Sequence, residues 1–253
     1  MRLLFKETLV IIEKTKNLVC WRKVMVHFTL ALAGKTVGVT AFFESTKEYC
    51  REYLCKEKAD FSVSLTLEDI QREKEFFGKN TQQNALEPIA LHRKIATKML
   101  EFNIFLLHGS AVAVDGECFV FIAPSGTGKS THTSFWRQKF GERAVMINDD
   151  KPFIKVTDHG AFVCGAPWNG KHHLSTPTEV KLKSICILKR GQTNFVEELT
   201  TAEALPAMLE QSHYINMQDF LPILDGLCRQ VNFYRLHCTP DRTAADIAYE
   251  AMK

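Results

Sequence analysis

The stretch Phe119-Val-Phe-Ile-Ala-Pro-Ser-Gly-Thr-Gly-Lys-Ser-Thr131 reads as a buried strand running into a glycine-bearing loop and then into a helix. That order of elements, with the apolar run ending at Ile122, implies an α/β fold organised around a phosphate-binding turn. Gly126 and Gly128 let the backbone turn its N–H groups inward, and Lys129 supplies a mobile cation for the outer phosphates. Ser125 and Thr127 complete the loop, and Ser130 stands where such loops place a hydroxyl ligand for Mg²⁺. Thr131 begins a helix whose positive end faces the anion. The usual pattern opens on glycine. Here Ala123 and Pro124 take that place, so the entry must suit a small L-residue followed by a fixed φ.

A chain of 253 residues with 45% hydrophobic residues can bury the core of one large domain or two small ones. Its net charge of +3 is spread along the sequence without a basic run, so neither nucleic acid nor a membrane surface is an expected partner. Its eight cysteines include no Cys-x-x-Cys pair, and Cys50 and Cys55 have no second pair at zinc spacing, so they read as reduced core thiols. Lys6, Glu7, Glu13 and Lys14 break the apolar N-terminal run, which fits neither a signal peptide nor a membrane span; the expected location is the cytoplasm.

Residues 1–80 read as a small α/β module, with 1–25 as an appendage and Met25 as an alternative start. Val26–Gly34 and Lys35–Phe42 form a hairpin, Ser45 caps a helix through Leu54, Asp60–Leu65 alternates like a strand, and Thr66 caps a second helix. A polar stretch between Phe76 and Glu87 marks the boundary, and residues 86–253 form the second unit, opening on a helix with Pro88 at its start. The strand Ile104–Leu107 ends in His108-Gly109, and Asp115-Gly116 signals a hairpin into the strand that enters the loop. His108 is therefore either a structural residue or a catalytic one.

Ala144–Asn148 is an apolar strand that ends in Asp149 and Asp150. Carboxylates at a strand end facing a phosphate loop can hold Mg²⁺, and one of them can accept a proton from an attacking hydroxyl. Gly165-Ala-Pro-Trp-Asn-Gly-Lys171, with Trp168, Gly170 and Lys171, reads as a mobile loop able to close over a substrate, or as a surface turn with the tryptophan tucked against the sheet. Arg190, at the end of the strand Val180–Leu188, either reaches a phosphate or is solvated. Two helices, at 201–209 and 218–227, a strand at 233–236 and a C-terminal helix follow.

Taken together, His108-Gly109, the loop from Ala123 to Thr131 and Asn148-Asp-Asp150 resemble the HPr kinase/phosphorylase catalytic domain and its relatives with the phosphoenolpyruvate-carboxykinase-like nucleotide-binding fold. With the Trp168 loop, the chain looks like the short bacterial homologues described as serine kinases. The resemblance implies a mixed sheet flanked by helices, with ATP and Mg²⁺ held by Gly126, Gly128, Lys129 and Ser130. It further implies metal-binding and base roles shared by Asp149 and Asp150, and His108 poising the base. The implied reaction moves the γ-phosphoryl group to a serine-type hydroxyl on a small molecule, peptide or protein. The residue after Ser130 is Thr131, where HPr kinases carry Glu, so HPr itself is not the implied acceptor. Kinases of this kind assemble into oligomers, although no apolar stripe here specifies how. Two other readings stay open, a nucleotide-dependent binding module whose N-terminal part engages a partner and a carboxykinase-like small-molecule enzyme.

Overall fold

In the first part of the chain, apolar residues alternate with polar ones and fold into paired strands. Phe28, Leu30 and Leu32 point inward from Val26–Leu32 (β1), and Val37, Val39 and Ala41 from Lys35–Ala41 (β2). The computed structural model describes residues 25–78 and 80–253. The appendage expected before Met25 lies outside them. Two compact units are present, one extending to Arg93 and one made of Lys94–Lys253 with the Leu32–Gly34 turn.

The first unit adds Glu44–Tyr49 (α1), Leu54–Cys55 (β3), Phe61–Ser64 (β4) and Leu67–Phe77 (α2), and its sheet runs β3-β1-β2-β4. Thr66 caps α2 as expected. Its hydroxyl accepts from Asp69 N at 3.2 Å while Thr66 N donates to Asp69 Oδ2 at 2.8 Å, a reciprocal capping box. Ser45 does not cap α1: it lies inside the helix, which starts after Phe43 without a side-chain cap of its own. A distant carboxylate instead fastens the segment that leads into the helix. Buried Glu87 accepts from Phe42 N at 2.6 Å, from Phe43 N at 3.0 Å and from the Thr46 hydroxyl. Glu87→Ala strands two amides and a hydroxyl, so a loss of about 1–3 kcal/mol is expected. A urea midpoint unchanged from the parent protein would refute this anchoring role.

Gln83–Met99 (α3) begins earlier than its sequence suggests, with Pro88 inside it rather than at its start. The proline removes one backbone hydrogen bond. Leu86, Ala90, Leu91, Ile95, Ala96 and Met99 are all buried along the helix, and their packing outweighs that local cost. A 3₁₀ turn, Leu100–Phe102, and Asn103 at φ 57° end it.

The second unit continues with Ile104–Leu107 (β5), Gly109–Val114 (β6), Glu117–Ile122 (β7), Lys129–Phe140 (α4), Ala144–Asn148 (β8), Phe153–Thr157 (β9) and Gly160–Cys164 (β10). It is completed by Glu179–Arg190 (β11), Phe195–Leu199 (β12), Thr201–Gln211 (α5), Ser212–His213 (β13), Met217–Cys228 (α6), Asn232–Cys238 (β14) and Thr243–Met252 (α7). The mixed sheet with flanking helices expected from the sequence is present. Its strands run β13-β5-β9-β10-β11-β7-β6-β8, and β14 pairs with both β11 and β12. Strands β12 and β13 have no counterpart in the sequence reading.

β7 is apolar at successive positions because both of its faces are covered. Val120 and Ile122 join one core with Met208, Phe220 and Leu224 of α5 and α6. Phe119 and Phe121 join the other with Trp136 of α4 and Ala245 and Ala248 of α7. Asp115 (φ 52°) and Gly116 (φ 85°) make the hairpin turn between β6 and β7, with the positive angles that a two-residue loop requires. Among the described residues, no helix is long and apolar enough to cross a membrane.

Candidate functional site

Strand direction brings the chemistry-bearing residues to one edge of the large sheet. β6 lies between β7 and β8 and is antiparallel to both. The C-terminal ends of β7 and β8 therefore share an edge, two strand spacings or roughly 10 Å apart. The start of β6, preceded by His108, falls between them. β11 runs parallel to β7, and β14 runs parallel to β11, so Arg190 and Cys238 end at the same edge. Gly109 fits here because a Cβ would come within 3.0 Å of Phe121 O and Ile122 Cγ2.

The loop after β7 turns through Gly126 (φ 78°) and Gly128 (φ 122°), and α4 starts at Lys129, two residues earlier than expected. A Cβ at either glycine would meet only open space, so the requirement is conformational. Thr127 Oγ1 donates to Pro124 O at 2.9 Å and tightens the turn. Lys129 is buried, and its Nζ donates to Ala123 O at 2.8 Å, so the cation lies folded over its own loop. Burial pulls its pKa below the usual lysine range, while the charge of Asp150 works against that pull. Arg190 Nη2 donates to Gly126 O at 2.6 Å, which joins the end of β11 to the loop. Ser125 and Thr131 are exposed, and Ser130 is half-buried.

Behind the loop, α4 carries buried His132. Its Nε2 accepts from Trp136 Nε1 at 3.0 Å, and burial drives its pKa down to about 3, so the ring is neutral and structural.

At the end of β8, three successive residues have separate tasks. Asn148 Oδ1 accepts from the amides of Asp150 (2.9 Å) and Lys151 (2.6 Å), and its Nδ2 donates to Ala166 O (3.0 Å) and Trp168 O (3.2 Å). Asp149 is buried; its Oδ1 accepts from Gly170 N at 2.5 Å, and its Oδ2 is buried without a hydrogen-bond partner among the described residues. Asp150 is more open, with Oδ1 at 3.4 Å from His108 Nε2 and Oδ2 at 3.8 Å from Lys151 Nζ. Burial pushes the Asp150 carboxyl up, yet the hydrogen bond to His108 and the charges of Lys151, His108 and Lys129 hold it below the usual carboxylate range. His108 Nδ1 lies 2.8 Å from Gln211 Oε1.

The segment from Gly165 to Leu174 differs from one sequence expectation. Trp168, expected to be exposed on a mobile loop, is 4% exposed. Besides the bonds to Asn148 and Asp149, Ser175 Oγ donates to Ala166 O at 2.8 Å and Asp149 N donates to Leu174 O at 3.0 Å, so the segment is fastened to the end of β8. Gly170 packs against the carboxylate it binds: a Cβ there would stand 3.1 Å from Asp149 Oδ2. Lys171 is exposed and takes no part in these bonds.

A cleft of about 430 Å³ opens beside the loop, lined by residues that include Gly128, Phe135, Arg190, Cys238 and Thr239. Its rim after β14 is cross-linked by hydrogen bonds: Asp241 accepts from Thr243 N at 2.9 Å and from the hydroxyls of Thr239 and Thr243, while Asn194 Oδ1 accepts from Thr239 N at 2.8 Å. These bonds hold the Asp241 carboxyl far below its usual range.

The residues at this edge suit a magnesium ion. Ser130 Oγ and the Asp150 carboxylate are hard oxygen donors on two elements that meet at one edge, and Mg²⁺ takes one or two protein ligands and fills its shell with phosphates and water. Among the described residues there is no cluster of three or more His, Cys, Asp or Glu side chains that could hold a metal ion.

Gln211 was missed in the sequence reading. Nothing local marks it, since it reaches His108 only through the pairing of β13 with β5.

No family model matches the chain, and no curated protein matches it. Among solved structures, it has a distant likeness in fold to the Hpr(Ser) kinase/phosphatase from Coxiella burnetii, at 8% identity and a TM-score of 0.35, covering 58% of this chain and 89% of that one.

Proposed function

We propose that the chain binds ATP with Mg²⁺ at the loop from Ala123 to Thr131 and transfers the γ-phosphoryl group to a serine-type hydroxyl on a small molecule, peptide or protein. The observation that carries this reading is that the loop bearing Lys129, at the end of β7, and Asp150, after β8 and 3.4 Å from His108 Nε2, lie at the same edge of the sheet on either side of the start of β6. A phosphate cradle and a hydrogen-bonded carboxylate at one sheet edge are the two parts that phosphoryl transfer requires.

The N–H groups of residues 126–130 and the Lys129 ammonium would bind the β- and γ-phosphates, with Lys129 leaving Ala123 O for the incoming anion. The nucleoside would lie in the cleft beside Arg190 and Thr239. Asp150 would take the proton from the acceptor hydroxyl as its oxygen bonds to the γ-phosphorus; the bond from that phosphorus to the bridging oxygen breaks, and ADP leaves. Magnesium, held by Ser130 and Asp150, would neutralise charge on the phosphates. The segment fastened by Asn148 and Asp149 would shield this edge from water.

A module that only bound nucleotide would gain nothing from the contact between His108 and Asp150, and this favours the enzyme reading. The test is Mg²⁺–ATP binding and γ-phosphate transfer to a panel of free serine, threonine, polyols and serine-containing peptides. Lys129→Ala is expected to weaken nucleotide binding about ten- to a hundred-fold, the worth of one charge-assisted contact. Failure of the parent protein to bind ATP would overturn the proposal.

A further inference from the structure

The cleft of about 430 Å³ is walled by α4 on one side and by the chain after β14 on another, and its two ends differ in chemistry. At the loop end stand Gly126, Thr131 and Arg190, with the guanidinium turned to Gly126 O at 2.6 Å. Farther out the walls are Phe135, Cys238, Thr239 and Pro240. Phe135 follows Lys129 by six residues on α4, about 9 Å along the helix axis, and it packs against the aromatic core below it. A nucleotide with its phosphates in the loop therefore brings its base beside Phe135.

The polar groups on the β14 side are already engaged. Thr239 N donates to Asn194 Oδ1 at 2.8 Å, the Thr239 hydroxyl donates to Asp241, and Thr239 O accepts from Asp241 N at 2.9 Å. Cys238 O accepts from Gly191 N at 3.0 Å, and Pro240 has no N–H to offer. The remaining side-chain group, the Cys238 thiol, is a weak donor. A site rejects a wrong ligand by a factor of about 10⁴ or more when its own hydrogen-bonding groups would be left unpaired, whereas apolar walls separate similar ligands by about ten- to two-hundred-fold. Stacking on an aromatic ring suits any base, because every base has a π-face, and it strengthens with ring area.

We propose that the cleft holds the base by stacking on Phe135 without reading its edge, so that the phosphoryl donor is a purine nucleoside triphosphate of either kind, ATP or GTP, with pyrimidine nucleotides bound more weakly. The proposal deepens the phosphoryl-transfer reading by naming the class of donor, and it rests on that reading for where the phosphates lie.

The test is calorimetric binding of the magnesium complexes of ATP, GTP, CTP and UTP to the full protein, to Phe135→Leu and to Phe135→Tyr, with γ-phosphate transfer from each nucleotide followed beside it. In the parent, the dissociation constants of ATP and GTP should agree within about ten-fold, and those of CTP and UTP should be about ten-fold higher. Phe135→Leu keeps apolar bulk against the core but loses the ring, so it should weaken the purines about five- to a hundred-fold and bring them level with the pyrimidines. Phe135→Tyr keeps the ring and should keep the parental order. A preference of a hundred-fold or more between ATP and GTP would overturn the proposal, and so would parental affinities in Phe135→Leu; both results leave the kinase reading standing. Binding of all four nucleotides without transfer to any acceptor upholds the stacking site while the kinase reading falls, and binding of none overturns both.

Discussion

Asp150→Asn is expected to lower phosphoryl transfer by about 10²–10⁴-fold, the range for loss of a general base, and to weaken the magnesium dependence of nucleotide binding, while affinity for ATP without magnesium stays within a few-fold of the parent. The amide has the size of the carboxylate, and the backbone bonds that place the residue do not involve the lost charge: Asp150 N donates to Asn148 Oδ1, and Asp150 O accepts from Gly109 N. Loop geometry and Lys129 should therefore survive. What the variant loses is the carboxylate charge, which the neighbouring groups favour. Single-turnover transfer measured beside calorimetric ATP binding separates the two effects. Transfer at the parental rate would remove Asp150 from the chemistry, and loss of ATP binding alone would recast it as a metal ligand only.

The second large effect is on stability. Trp136 is fully buried, with its ring centre 4.9 Å from that of Phe119, 5.2 Å from Phe121, 5.7 Å from Phe140 and 5.7 Å from Tyr249. Trp136→Ala opens a cavity between α4, the sheet and α7 and leaves the buried Nε2 of His132 without its donor, so a cost of about 3–5 kcal/mol is expected. In a unit of this size that corresponds to a fall in Tm of about 10 °C. Calorimetry of the two proteins checks it, and a fall of only a degree or two would mean that the aromatic cluster collapses around the gap. Because α4 starts at Lys129, ATP affinity should weaken in the same variant.

The parts of the site that the sequence made legible are those whose chemistry is local. Gly126, Gly128 and Lys129 announce a turn with positive φ and a helix start, and Asp115-Gly116 announces a two-residue hairpin, because the backbone angles belong to those residues themselves. Thr66 and Asp69 are legible for the same reason. Where a distant residue decides, the pattern misleads. Ser45 has the composition of a cap, but it lies inside the helix, and distant Glu87 holds the amides of Phe42 and Phe43 that lead into it. Pro88 looks like a helix start, yet burial along α3 carries the helix back to Gln83. Trp168, in a run of glycine, proline and polar residues, looks solvated, and it is the side chain of Asn148 that draws its backbone in. Gln211 was invisible for the same reason: two residues of β13 have no periodicity to read, and only their register against β5 gives the glutamine its neighbour.

The parallel pairing of β11 with β7 and β14 also sets an order of assembly during synthesis. The phosphate loop and Lys129 leave the ribosome with β7, but Arg190, which bonds to Gly126 O, arrives only at the end of β11. Thr239 and Pro240 of the cleft, which follow β14, come later still. A nascent chain halted before β14 thus carries a complete loop sequence beside an unfinished cleft, and parallel strands joined over long stretches of chain are slow to pair. The cleft is for that reason a report on β14: the pairing of this strand adds a wall to what is otherwise a glycine-rich turn.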